Sequence, residues 1–304
     1  MDFPSLVQTA SRSLGGLICL LVICVTDVAC AAAPNADPAT ALRERYASLE
    51  KQLRSNQFGL PLALESTETS DRVQGDIHAI VSYPLGMVGA GLGNPHHWCD
   101  VMLLHINTKY CHAVAGLSGT TLRVNVGTKN PEALADSKRI EFRFNVTVST
   151  PDYFEVVLDA KEGPLGTSDY HIRLEAVALP QAKTFLHLTY SYTINLVGRV
   201  AVMSYLGTIG RNKVGFTSVG PQVGAQADYI GGVRGLVERN TMRYYLAIIS
   251  FLEAVDLAPE VQLEHRLQSW FTAVERYPRQ LHEMDRKEYL EMKRAEYLRQ
   301  QTER

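Results

Sequence analysis

Apolar and polar residues change period several times along this chain. In "ALRERYASLEKQLRSN", Leu42, Tyr46, Leu49 and Leu53 recur at helical spacing, so a helix is expected after the turn-rich "PNADPAT". "STETSD" reads as a loop. From Val73 the period shortens, and "VQGDIHAIVSYP" is strand-like. "LGMVGAGLGNPHHWCDVMLLH" is helical and broken at Asn94-Pro95, where Asn94 suits a helix cap and Pro95 a first helical position. Strand-like runs follow at about 106–113, 121–127, 139–149, 153–160, 169–179 and 184–194. In "RIEFRFNVTVS", Ile140, Phe142, Phe144, Val146 and Val148 share one face, opposite Arg139, Glu141, Arg143, Asn145 and Thr147. In "TFLHLTYSYTI", Leu186, Leu188, Tyr190 and Tyr192 oppose His187, Thr189 and Ser191. Strict alternation describes a sheet with one wet face, and turn signals between the runs allow an antiparallel meander.

Beyond residue 195, "VGRVAVMSYLGTIG" reads as a short helix and "NKVGFTSV" as another strand. "GGVRGLVERNTMRYYLAIISFLEAVD" is a long amphipathic helix with Val233, Leu236, Val237, Tyr244, Ile248, Phe251 and Leu252 on its apolar stripe. A further helix runs from Pro259 to Tyr277, where Pro278 breaks it. Residues 279–304 predict a charged helix. It is either solvated and leaning on the domain or a site for a protein or membrane partner.

The start of the chain changes the picture of where it works. Arg12 precedes the apolar run Leu14–Val25, which is too short for a membrane span of about 20 residues. Ala29-Cys30-Ala31 fits a cleavage site, so residues 1–33 read as an export signal and the compartment as a bacterial periplasm. Lipidation at Cys30 is a weaker alternative because Asp27 stands three residues before it. After processing only Cys99 and Cys111 remain of five cysteines. In an exported chain they form either a disulfide or two buried thiols. A bridge requires the chain to reverse between them, since a continuous strand would separate them by roughly 35–40 Å. A helix from Pro95 to about Leu104 followed by a strand from Ile106 supplies that reversal.

The formal net charge of −2 gives no basic excess for nucleic acid. The glycines at 89, 91 and 93 follow a strand, but no Lys-Ser/Thr follows them, no acid stands about 20 residues on, and the next strands look antiparallel. Their better reading is close helix packing, or a weak helix over a gap above the sheet. His96, His97, Cys99 and His105 invite a metal, yet adjacent helical histidines diverge by about 100° and no metal motif occurs. No cofactor or metal is expected, and no G-x-S-x-G nucleophile is present.

The order of elements resembles the START-like helix-grip superfamily, also called SRPBCC. The resemblance is carried by "GDIHAIVSYPLGMVGAGLGNPHHWCDVMLLHINTKYC" and by "YIGGVRGLVERNTMRYYLAIISFLEA". It implies an α+β fold in which a curved antiparallel sheet wraps a long C-terminal helix, with an apolar cavity between them. The organisation expected is a signal peptide at 1–33, a linker and N-terminal helix at 34–72, a START-like domain at 73–255 and a helical C-terminal extension at 256–304. Phe142, Phe144, Leu188, Tyr190 and Tyr192 become candidate sheet liners, and Met242 and Tyr245 candidate helix liners, although an ordinary core would use the same residues. Arg234, Glu238, Arg239 and Arg243 lie at i,i+4 spacings. They could hold an acidic head group at the cavity mouth, with Glu238 orienting an arginine, or could form a solvated face. The expected function is carriage of a hydrophobic or amphiphilic small molecule. The alternatives are an envelope scaffold acting through the C-terminal helices and an acid–base enzyme using Glu238 or a histidine.

Overall fold

Asp37 and Pro38 open the first described helix: the Asp37 carboxylate accepts from the Thr40 N–H at 3.3 Å, and Pro38 needs no donor partner there. The computed structural model describes residues 37–117, 119–207, 212–220 and 228–302. The expected export signal and Cys30 lie outside the described residues. Helix α1 (Pro38–Arg54) is followed by strands β1 (Leu62–Glu68) and β2 (Arg72–Val81) and helices α2 (Leu85–Leu92) and α3 (Pro95–Leu104). Six strands then run without interruption by a long helix: β3 (Thr108–Gly116), β4 (Gly119–Val126), β5 (Lys138–Ser149), β6 (Tyr153–Glu162), β7 (Thr167–Leu179) and β8 (Lys183–Ile194). Five helices complete the chain: α4 (Leu196–Gly207), α5 (Gly232–Leu252), α6 (Pro259–Val274), α7 (Pro278–Leu281) and α8 (Arg286–Thr302).

All eight strands form one antiparallel sheet in the order β1-β2-β8-β7-β6-β5-β4-β3. Helices α2, α3 and α5 pack into its concave face, and α1 packs on the convex face. α1 buries Leu42, Leu49 and Leu53 against Ala63, Tyr153, Val177 and Phe185, so part of the face expected to be wet is covered.

Four expectations require correction. The loop expected through "STETSD" contains β1, whose Leu62, Ala63 and Leu64 are buried and whose Leu64 pairs with Ile77. The sheet therefore begins at residue 62, in advance of the expected boundary at 73. β1 is an edge strand, and its polar "EST" half hid the alternation. "NKVGFTSV" is not a strand; only Ser218 makes a single bridge, to Tyr229. Val148 does not share a face with Val146, because an extra residue between them shifts the register from Val146↔Val156 to Val148↔Glu155. This bulge turns Val148 outward into the cluster under α1. Finally, the tail, expected as a solvated helix leaning on the domain, is seated more deeply than that, with only one face of α8 exposed. α8 buries Tyr289, Leu290 and Met292, and Tyr289 stacks on Trp270 at 4.9 Å and donates to the Leu104 carbonyl at 2.9 Å.

The reversal between the cysteines is made as the helix–strand reading requires. α3 ends at Leu104, the Thr108 N–H closes a turn on the His105 carbonyl at 3.0 Å, and β3 runs back. Cys99 and Cys111 are bridged with their Cα atoms 5.1 Å apart. The glycines serve packing. A Cβ at Gly91 would lie 3.3 Å from Leu252 and 3.5 Å from Phe251, so its absence lets α2 rest on α5.

Candidate functional site

Strand register assembles the concave wall. Phe144, Leu158, Ile172 and Tyr190 stand opposite one another across β5, β6, β7 and β8, and the same row reaches Gly75 on β2. Ala160 and Tyr170 pair on the next row, Phe142 and Tyr192 lie two residues along their strands from Phe144 and Tyr190, and Leu188 lies two residues from Tyr190 in the other direction. The five expected sheet liners therefore do share one face and are buried together. Tyr170 connects them: its ring meets Phe142 at 6.2 Å, Tyr190 at 6.3 Å and Tyr192 at 5.2 Å.

α5 reaches this wall because Gly75 has no side chain. A Cβ there would fall on the Thr241 hydroxyl, which is itself tied to the Val237 carbonyl at 2.8 Å. With the helix seated at Gly75, Tyr244 meets Tyr190 at 5.2 Å and His105 at 4.9 Å. The Asn240 amide faces both the His105 ring and the Tyr190 hydroxyl. Burial raises the pKa of Tyr190, Tyr192 and Tyr244, so all three hydroxyls are neutral donors. Burial, followed by the charges of Arg243, Lys293 and Lys109, lowers that of His105, which is a neutral imidazole.

The expected helix residues are distributed differently. Met242 is fully buried in the same core. Tyr245 points elsewhere, into a groove of about 480 Å³ between α5 and α6 with Leu246, Ile249, Ser250 and Ala273. Tyr244 and Tyr245 differ by about 100° around the helix, and the sequence pattern alone does not say which faces the sheet.

The polar group on α5 is not a head-group clamp. Glu238 is fully buried and orients no arginine. It accepts from the Phe216 and Thr217 N–H groups at 2.6 and 2.9 Å, from the Thr217 hydroxyl at 2.6 Å and from the Ser66 hydroxyl. Arg234 donates to Ser66 Oγ at 2.7 Å, and Arg239 is buried with the Val214 carbonyl at 3.3 Å. Arg243 pairs with Glu283 at 2.8 Å. These side chains fasten the 212–220 segment, β1 and the C-terminal extension to α5. A carboxylate with every lone pair engaged is an anchor and is poorly placed for proton transfer.

Other cavities lie mostly outside this wall. A groove of about 910 Å³ is lined by Arg72, Arg139, Arg143, Asp159 and His171, and it reaches the wall only at Ala160 and Tyr170. A second, of about 510 Å³, runs beside α1 past Arg45, Asp76, His78, Glu175 and His187. Neither takes a wall from Phe142, Phe144, Leu188, Tyr190, Tyr192 or Met242. Between α5 and the sheet, the rings of Tyr170, Tyr190, Tyr192 and Tyr244 occupy the space themselves.

The long antiparallel sheet curved around α5, with two short helices between its second and third strands, is the helix-grip α+β fold. Among solved structures, the chain is similar to the human StAR-related lipid transfer protein 5 at 14% identity and a TM-score of 0.30, covering 56% of this chain and 89% of that one. It is similar to the Zhui aromatase/cyclase from Streptomyces sp. R1128 at 12% identity and a TM-score of 0.32, covering 68% and 95%. A START superfamily protein from Mycobacterium smegmatis gives 13% identity and a TM-score of 0.31, covering 47% and 93%. At these identities the likeness concerns fold alone. No family model and no curated protein matches the sequence.

Proposed function

We propose that the protein binds a hydrophobic or amphiphilic small molecule between the aromatic rows of the concave face and α5, and carries it in the periplasm after export. The observation that carries this reading is the composition of the wall. Where a plain core would use interlocking aliphatic side chains, five aromatic residues (Phe142, Phe144, Tyr170, Tyr190, Tyr192) share this wall, and Tyr190 joins it to Tyr244 on α5. Tyrosine presents a large apolar face with a polar tip, which suits a site that alternates between a closed, ring-filled state and an occupied one. Burial of the guest would drive binding at about 25 cal/mol per Å² of apolar surface. The Cys99–Cys111 bridge supports export, because disulfides persist in oxidising compartments.

Native mass spectrometry of the protein purified from its own envelope, with solvent extraction, tests the reading. A co-purifying hydrophobic molecule whose removal shifts the Tyr190 and Tyr244 ring resonances is the expected result. An empty protein whose ring resonances ignore added lipid extract would sink it.

A further inference from the structure

Tyr245 turns away from the sheet and joins Leu60, Leu246, Ile249 and Ala273 in the floor of the groove of about 480 Å³ between α5 and α6. That volume lies within the roughly 300–1,000 Å³ of small-molecule sites, and an apolar floor with a few polar groups is their usual composition. Tyr245 is only 3% exposed, yet its hydroxyl has no hydrogen-bond partner among the described residues. Burial, then the neighbouring Tyr277, Tyr83 and Glu253, raises its pKa, so it is a neutral donor. A donor left unmet beneath the surface is costly, and the groove is where a partner could reach it.

The rim carries two guanidinium groups. Arg286 donates to Gln268 Oε1 at 2.8 Å and to Thr272 Oγ1 at 3.1 Å, and it lies over the Phe271 ring at 4.8 Å. Both acceptors are neutral, so this arginine is fixed in place while its charge is not cancelled. Arg276 is exposed and forms no ion pair among the described residues. Among the described residues, Glu253 is the only acid that lines the groove, and it accepts from the Ser269 hydroxyl. His265, also on the rim, adds no negative charge. Two arginines against one glutamate leave an excess of positive charge that matches a monoanion.

We infer that this groove is a second binding site, independent of the concave one proposed above, for a small apolar molecule ending in one carboxylate. Leu60, Leu246, Ile249 and Ala273 hold the apolar body. Arg286, Arg276 and the Tyr245 hydroxyl receive the acid.

Equilibrium titration of the full chain with 2-naphthoate and 2-naphthamide tests this, because the two probes share a body and differ in charge. The acid is expected to bind about tenfold tighter, the value of one charge-assisted hydrogen bond. In the unsubstituted protein it should move the methyl resonances of Ile249 and Ala273 and leave those of Leu158 and Ile172 on the concave wall in place. In the double variant Arg276→Gln, Arg286→Gln, with both changes at exposed positions, the tenfold gap should close and the amide's affinity should stay unchanged. A gap that survives in the double variant overturns the assignment of the acid to these arginines. Shifts at Leu158 and Ile172 in place of Ile249 and Ala273 overturn the groove and support the concave site instead. Failure of both probes to bind also overturns the groove.

Discussion

His78 lies flat on His187, with ring centroids 4.1 Å apart and planes inclined by 6°. The two rings are neighbours across β2 and β8 on the convex face, yet the fold asks opposite things of them. His187 donates from Nδ1 to Glu175 at 3.0 Å and from Nε2 to Asp76 at 2.9 Å. Burial opposes its charge, but the bonds to Asp76 and Glu175 prevail and its pKa is raised. Burial, then the charges of His187 and Arg45, pushes His78 down to about 3. The fold favours charge on His187 and disfavours it on His78.

The signs follow from linkage. His187 contributes stability that is full below the ordinary histidine range and is lost as pH rises through its raised folded pKa. His78 contributes stability that is present above about 6.5 and is lost as pH falls towards 3. Keeping His78 neutral at pH 5 costs on the order of 2 kcal/mol. His78→Phe, which preserves the stack, should therefore lose less thermal stability than the parent between pH 6.5 and 4.5. Parallel melting curves for the two proteins across that range would refute this account.

Glu238→Leu should act on structure. The Phe216 and Thr217 N–H groups lose their buried acceptor, at about 1–3 kcal/mol for each group left unmet. Hydrogen exchange at Phe216 and Thr217 should accelerate strongly, while amides in the centre of β7 change little. Unaltered protection at these two residues would show that the anchor is unimportant.

The C-terminal helix is held by a buried triad. Glu296 meets Lys109 at 3.1 Å and Lys293 at 2.7 Å, and backbone carbonyls of Asn130, His105 and Thr108 take the remaining lysine donors. Glu296→Gln leaves two buried ammonium groups without a counter-charge, a change worth roughly 3–5 kcal/mol. Release of α8, seen as rapid tryptic cleavage after Lys293 or Arg294, is the expected outcome. Burial outweighs Glu296 and holds Lys293 at about 8, so the cost of docking falls as pH rises from 8 towards 10.5. Exchange protection of α8 should accordingly improve over that interval.

Gly75→Ala tests the seating of α5 on the sheet. The added methyl would lie 3.1 Å from Thr241 Cβ and on top of its hydroxyl, which cannot swing away without leaving Val237. Overpacking of this kind costs about 1–3 kcal/mol, and Thr241→Ala in the same chain should recover most of it. Additive losses in the double variant would mean that the two elements do not meet as described.

Much of this architecture was legible in the residues. Period-2 alternation located β2 to β8 within a few positions, Asn94-Pro95 marked the break between α2 and α3, and the spacing of the cysteines stated what the backbone had to do for them to meet. What escaped was whatever lacked a long pattern. β1 offers only three apolar residues before its polar half. The extra residue at Thr147 looks like ordinary alternation until β6 is laid beside it. His105 stood out only beside His96, His97 and Cys99 as a candidate metal ligand, and Asn240 read as an unremarkable polar residue on a helix face.

By itself, the sequence determined most of the helices and strands and the apolar face of the longest of them, and it favoured an antiparallel sheet, because periodicity and turn chemistry are local properties. Only the tertiary structure decided which tyrosine of the Tyr244-Tyr245 pair faces the sheet, that Glu238 secures a neighbouring segment, and that α8 folds back upon buried lysines. Those outcomes depend on the rotation of one element against another. That rotation is set by contacts between distant residues, such as Gly75 with Thr241 or Lys109 with Glu296, which no local pattern encodes.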